Sequence, residues 1–252
     1  DRGRPCGTAD RRRGKVIDTV ELFTDTISSV RAFVTQLSGK RSWIAEDKPS
    51  WPAGAGHNIV LKEDMGLELG SPQMESVSCL LWTHNFVSVE NGKITLMGPD
   101  FTESMGKSLP FGKVVLAGVE GFTEDNAYDL HKDLDFLRYS INLKGFMMRS
   151  VSQYMREWCR ISSIAIREGF SARILGSTLI NLFLEKPFVR AVEVIYLTSR
   201  PEDVVRLREI TSPAEKVIAA MNKMAAEMDF ECESCDYQEV CDDASQLKAM
   251  RD

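Results

Sequence analysis

The residues of this 252-residue chain that could do chemistry gather in two places. The first is FECESCDYQEVCDD, residues 230–243, where Cys232, Cys235 and Cys241 form a Cys-x2-Cys-x5-Cys array among acids, with no lysine or arginine. Two cysteines three apart can present both thiolates to one ion, because a tight turn brings the sulfurs within bonding reach; a third closes a side of the same site. Iron–sulfur clusters and structural zinc both take four ligands. The fourth would come from Cys6, Cys79, Cys159, a histidine, a carboxylate, another chain or an exogenous ligand. The acids attract a cation and disfavour free thiolates, which argues against a reactive redox pair. The Cys-x-x-Cys also lacks the strand-then-helix setting of thioredoxin-like sites. These residues favour a four-iron cluster or zinc, with a disulfide and unliganded thiols as the alternatives.

The second place lies between Gly145 and Arg173. Arg149, Arg156, Arg160, Arg167 and Arg173 share that stretch with only two acids, Glu157 and Glu168. Guanidinium forks bind phosphates bidentately, so a nucleotide-like or phosphopantetheine-type ligand would find partners here. Read as a helix, the steps of seven and four place Arg149, Arg156 and Arg160 on one face. The alternative is an ion-pair face against the preceding acidic helix, which carries Asp133 and Asp135. His57, His84 and His131 stand far apart, and a histidine in a strand such as His84 is more often structural. No nucleophile elbow, Walker loop or His-Glu-x-x-His is present. Met221, Met224 and Met228 follow helical spacing and read as core.

These residues need elements to hold them. An apolar stripe at Val20, Phe23, Ile27, Val30, Val34 and Leu37 predicts a helix over about residues 16–37, ended by Gly39. SWIAEDKPSWPAGAGHN reads as a linker. Residues 59–121 carry strand-like runs, and Asn91-Gly92 predicts a hairpin joining SVSCLLWTHNFVSVE to KITLMG. FTEDNAYDLHKDLDFLRYSI predicts a helix capped by Thr123, and helical character is read through GFMMRSVSQYMREWCRIS and SARILGSTLINLFLEK. VRAVEVIYLT is a buried strand. SPAEKVIAAMNKMAAEM predicts a helix start, with Ser212 as cap, Pro213 at the first position and Glu215 completing a capping box. The fold class is α+β, a mixed α/β arrangement in which helices cover an antiparallel or mixed sheet after an N-terminal helix. Three parts are expected: 1–56 as basic arm, helix and linker; 57–229 as the α/β domain; and 230–252 as the cysteine cluster and C-terminal helix.

Apolar residues make up 43% and charged residues 27%, with a net charge of −6, an ordinary globular balance that disfavours a dedicated nucleic-acid binder. Residues 1–15 hold six basic and two acidic groups and read as a solvated arm. No run approaches the roughly 20 apolar residues of a membrane span, so no membrane association is expected. The first residues carry no apolar signal core, and the missing initiator Met suggests a fragment. Six cysteines are too sparse for a disulfide scaffold, which points to a reducing compartment, the cytoplasm.

Several pieces in order, MGLELG, GKITLMGPDF, SLPFGKVV, WCRIS, AIREGFS, VRAVEVIYLT and FECESC, resemble the middle portion of the acetyl-CoA synthase subunit of the carbon monoxide dehydrogenase/acetyl-CoA synthase (acetyl-CoA decarbonylase/synthase) complex. They lie within residues 59–235, about seven-tenths of the chain. The resemblance implies a mixed α/β domain whose arginine-rich region meets coenzyme A. The WCRIS match carries Arg160 into that region, just after Arg149 and Arg156. It also implies that Cys232 and Cys235 fall where the family's cluster ligands begin. Cys241 follows sooner than in the family, no further cysteine follows it, and the Cys-x-Cys that holds the distal nickel is absent, as is the large N-terminal domain. The expectation is therefore an accessory or partner subunit in one-carbon or corrinoid metabolism, carrying an iron–sulfur or similar metal site and docking on a protein partner. It is not expected to make acetyl-CoA alone.

Overall fold

The computed structural model describes residues 21–48, 50–54, 59–152 and 156–227. In chain order the elements are α1 (Thr24–Gln36), β1 (Lys40–Ile44), β2 (Met65–Leu69), β3 (Ser76–Thr83), β4 (Lys93–Met97), β5 (Lys107–Leu109), β6 (Phe111–Val119), α2 (Ala127–Phe136), β7 (Phe146–Ser152), β8 (Arg156–Ser162), α3 (Ser163–Glu168), α4 (Ala172–Leu184), β9 (Val189–Leu197) and α5 (Pro201–Glu227). They build two mixed sheets, one of five strands in the order β1-β4-β9-β6-β3 and one of four in the order β5-β2-β8-β7. The mixed α/β class and the N-terminal helix expected from the sequence are present.

The centre of the larger sheet follows from composition. β3, β6 and nearly all of β9 are buried along their whole length, as near-continuous apolar runs demand when both faces are covered. Alternation along β6 shows what covers each face. Gly112 lies under α5, where a Cβ would come within 3.0 Å of the Leu207 side chain. Its neighbour Lys113 faces the other way, into a small void walled by Leu179 and Phe183 of α4. The α4 helix begins at Ser171, whose hydroxyl accepts from the Ile174 N–H, while the Asp100 carboxylate accepts from the Ala172 N–H at 2.9 Å. Phe23, just before α1, and Ile27, Val30 and Phe33 on it join the same apolar core.

The smaller sheet meets the larger through β3 and β8. Ser76 Oγ donates to the Glu157 carbonyl at 2.6 Å and accepts from the Glu157 N–H at 3.1 Å. Gly70, at φ +60°, lets the chain leave β2 directly over β8; a Cβ there would sit 2.4 Å from the Glu157 carbonyl oxygen.

Five local expectations are corrected. The stretch from Phe146 to Ser162 is not helical but the β7–β8 antiparallel pair, so Arg149, Arg156 and Arg160 share no helix face. The inward residues of β8 are Glu157, Cys159 and Ile161, and the charged member hides the period-2 pattern from an apolar count. Asn91-Gly92 does form a turn, but no hairpin: β4 pairs with β1 and β9, while β3 pairs with β6, because β9 and β6 stand between them. Ser212 and Pro213 lie inside α5 rather than at its start; apolar burial of Val204, Leu207, Thr211 and Ala214 along one face holds the helix through the proline. The first three residues of the expected linker, 42–44, belong to strand β1. Likewise α2 begins at Ala127 with Asn126 before it, and Thr123 contributes its carbonyl rather than a cap.

Candidate functional site

Because successive side chains of a strand alternate between faces, β8 sends Arg156, Trp158 and Arg160 to the outer face of the four-stranded sheet. Register places Glu68 of β2 opposite Arg160. The Glu68 Oε1 accepts from Arg160 Nε at 2.9 Å and from the Trp158 indole N–H at 3.0 Å. On the other side, β7 bulges between Met148 and Ser150, which displaces Arg149 from the ladder. Its guanidinium carbon stands 4.8 Å from the Trp158 ring centroid, and that of Arg160 stands 5.6 Å away. Two cations therefore share one indole, with a carboxylate fixing the ring and one of the cations.

The three arginines are not equivalent. Arg156 Nη2 donates to the carbonyls of Ser71 at 3.0 Å and Met74 at 2.7 Å, and so holds the loop after β2. Arg160 is anchored to Glu68 through Nε at 2.9 Å, in a side chain 14% exposed. Arg149 is exposed, and no described carboxylate pairs with it. Asp133 and Asp135, the acids weighed as partners, are engaged elsewhere: Asp135 with Arg138, and Asp133 4.0 Å from Lys186. Arg173 pairs with Glu46 at 3.0 Å. An indole flanked by guanidinium groups can stack a flat ring and bind phosphate oxygens.

Behind this face lies a buried polar cluster that sequence reasoning missed. Lys113 and Glu157 form an ion pair with side chains 3% and 1% exposed. Ser78 Oγ donates to Glu157 Oε2 at 2.9 Å, and Cys159 Sγ donates to Oε1 at 3.5 Å. Burial pushes the Glu157 carboxyl up, but the Lys113 charge and hydrogen bond, with Arg138 and Ser78, outweigh it and hold the group below the ordinary range. Trp158 and Glu68 were missed as well. The signal for Trp158 was the alternation in REWCRIS, legible only once that stretch is read as a strand.

Cys232, Cys235 and Cys241 lie outside the described residues. Among the described residues no group of three or more histidines, cysteines or acids is placed to hold a metal. Cys79 and Cys159 are buried in the core, and burial pushes both thiols well above the ordinary range, so neither suits the missing fourth ligand. His131 is buried against Phe23, and His84 packs on Trp82 and Phe122 with its Nδ1 3.3 Å from Glu21; His57 falls outside the described residues. No described helix is long and apolar enough to cross a membrane.

Comparison with known proteins gives one consistent result. The chain is similar to the acetyl-CoA decarbonylase/synthase complex subunit beta of Archaeoglobus fulgidus, 28% identical over 158 residues, which is 61% of this chain and 29% of that protein. It is 29% identical over 146 residues to subunit beta 2 of Methanosarcina thermophila, covering 57% of this chain and 30% of that one. Subunit beta of Methanothermobacter thermautotrophicus is 30% identical over 146 residues, again 57% and 30%. The match thus spans less than a third of the length of these curated relatives. The model of the family described as the CO dehydrogenase/acetyl-CoA synthase complex beta subunit matches residues 52–204. With more than half its length matched, the chain belongs to the CO dehydrogenase/acetyl-CoA synthase complex beta subunit family.

Proposed function

We propose that this chain is a component of one-carbon, acetyl-CoA-forming metabolism that acts with a protein partner, and that the outer face of its four-stranded sheet meets coenzyme A. The observation that supports this reading is the placement of Arg149 and Arg160 on one indole, with Arg160 held at its Nε by Glu68. Phosphate oxygens suit the two guanidinium groups and a flat heterocycle suits Trp158. Coenzyme A, when bound, supplies the thiol that carries an acyl group. Arg156 would keep the adjoining loop in place, since its nitrogen already serves two carbonyls.

The partner belongs, in this proposal, to a one-carbon or corrinoid system in the cytoplasm, and residues 57–229 form the unit that carries the coenzyme face. Cys232, Cys235 and Cys241 would hold an iron–sulfur cluster or zinc beyond it. Their sequence pattern supports the metal, and the burial of Cys79 and Cys159 directs the search for a fourth ligand to Cys6, to a non-cysteine side chain or to another chain.

Two measurements on the anaerobically purified chain test these points. Coenzyme A titrated against the protein should quench indole emission and bind saturably; Arg160→Ala should remove binding, and Arg149→Ala should weaken it about tenfold at low salt. No saturable binding would remove the coenzyme reading. Metal analysis with a visible spectrum separates about four irons per chain in a brown protein from a colourless zinc protein. A metal-free protein sinks the metal assignment.

A further inference from the structure

We propose that a cleft between α2, the turn that follows it and α5 binds a small carboxylate with a flat apolar body. The cleft measures about 640 Å³, within the roughly 300–1,000 Å³ usual for small-molecule sites, and shares no residue with the arginine face. Its rim is aromatic: Phe136 and Tyr139 are 68% and 52% exposed, and their rings lie 5.3 Å apart. Ile218 of α5 completes the apolar wall. An exposed aromatic pair beside a concavity is a surface that water covers poorly.

The floor is polar and incompletely bonded. His131 is 4% exposed, and its Nδ1 has no partner; Arg138 Nε, in a side chain 14% exposed, has none either. Both atoms belong to residues that line this cleft. Buried nitrogens left without partners are uncommon because each loses its hydration without replacement; the Arg138 N–H calls for an acceptor, and the imidazole nitrogen of His131 can serve as donor or acceptor according to its tautomer. Of the remaining nitrogens of Arg138, one has a distant partner and the other a local one. One reaches Ser78 Oγ only at 3.5 Å, and the other pairs with Asp135, a side chain 35% exposed and three residues away on the same turn.

Asp135 therefore acts as a placeholder. A ligand carboxylate entering the cleft can take over the guanidinium, while Asp135 turns to water at little cost because its pair is local and partly exposed. Asp133 and Asp135 at the mouth disfavour a multiply charged head, and among the described residues the cations lining the cleft are Lys132 and Arg138, with the Lys132 ammonium drawn over the Tyr128 ring. The head is thus singly charged, and the body packs against Phe136, Tyr139 and Ile218.

The test uses the ¹⁵N-labelled full chain and three probes: benzoate, inorganic phosphate for charge alone, and benzyl alcohol for the apolar body alone. Benzoate should give saturable shifts confined to amides around residues 131–139 and 218–222, at concentrations where the other two give none. Asp135→Asn should tighten benzoate about threefold by removing the competitor, and Phe136→Ala, an exposed and fold-neutral change, should weaken it about threefold. Arg138→Met should remove binding; if that variant fails to fold, the other two carry the test. Absence of saturable benzoate shifts, equal response to phosphate, or unchanged affinity in Asp135→Asn and Phe136→Ala would overturn the proposal. None of these outcomes bears on coenzyme A binding at the arginine face.

Discussion

Lys113→Met tests the energetic reasoning most sharply, because it takes one charge from a pair that water hardly reaches. Lys113 and Glu157 are 3% and 1% exposed, so neither can recover hydration when its partner is lost. Breaking such a pair from one side costs about 3–5 kcal/mol. Here Ser78 Oγ still donates to Glu157 at 2.9 Å and the Arg138 charge still acts on it, which places the expected loss near the lower end, about 3 kcal/mol. The assay is urea unfolding at several pH values. In the native protein the Glu157 pKa lies below its ordinary 4.5, so its contribution is present above the unfolded value and is lost as pH falls through the folded one. In the variant, burial becomes the dominant influence and raises the pKa instead. Glu157 then takes up a proton on mild acidification, and the variant regains stability as pH falls toward 4.5. The deficit should therefore be largest at pH 8 and shrink by pH 5. Lys113→Met with Glu157→Leu should recover to within about 1 kcal/mol of the native protein. A deficit under about 1 kcal/mol, or one that does not change with pH, would refute the reasoning.

Two further outcomes follow from the same geometry. Arg31 grips Glu193 of β9 with both terminal nitrogens, at 2.8 and 2.5 Å, and Glu193 is 1% exposed. Arg31→Ala should cost about 2 kcal/mol in urea unfolding, less than a fully buried pair because Arg31 itself is partly exposed, and Arg31→Lys should restore little since a single ammonium cannot match the fork. Native alkylation with iodoacetamide, read by peptide mass spectrometry, should leave Cys79 and Cys159 unmodified until denaturant is added, because both thiols are buried and held protonated.

Much of the scaffold was legible in the chain. The apolar runs of β3, β6 and β9 and the stripe of α4 need no tertiary information, since their burial is written in side-chain type and period. Strand partners were not legible. The Asn91-Gly92 turn is real, yet β9, almost a hundred residues later, takes the place beside β4 that a hairpin would have used. The Ser212-Pro213 signature has the chemistry of a helix start, but burial of the flanking residues against the core outweighs it.

For the site, the sequence by itself determined the inventory: arginines concentrated between residues 149 and 173, three clustered cysteines, and an ordered set of short motifs that led to the family. Only the tertiary structure decided how those arginines differ. Arg149, Arg156 and Arg160 are alike as residue types, but a bulge leaves the first open on an indole, two loop carbonyls occupy the second, and Glu68 from another strand anchors the third. The same holds for Glu157. In the sequence it is one acid among arginines; alternation turns it inward, and Lys113 from the other sheet makes its charge tolerable. Composition sets which groups a chain possesses, whereas their partners depend on which strands come to lie side by side.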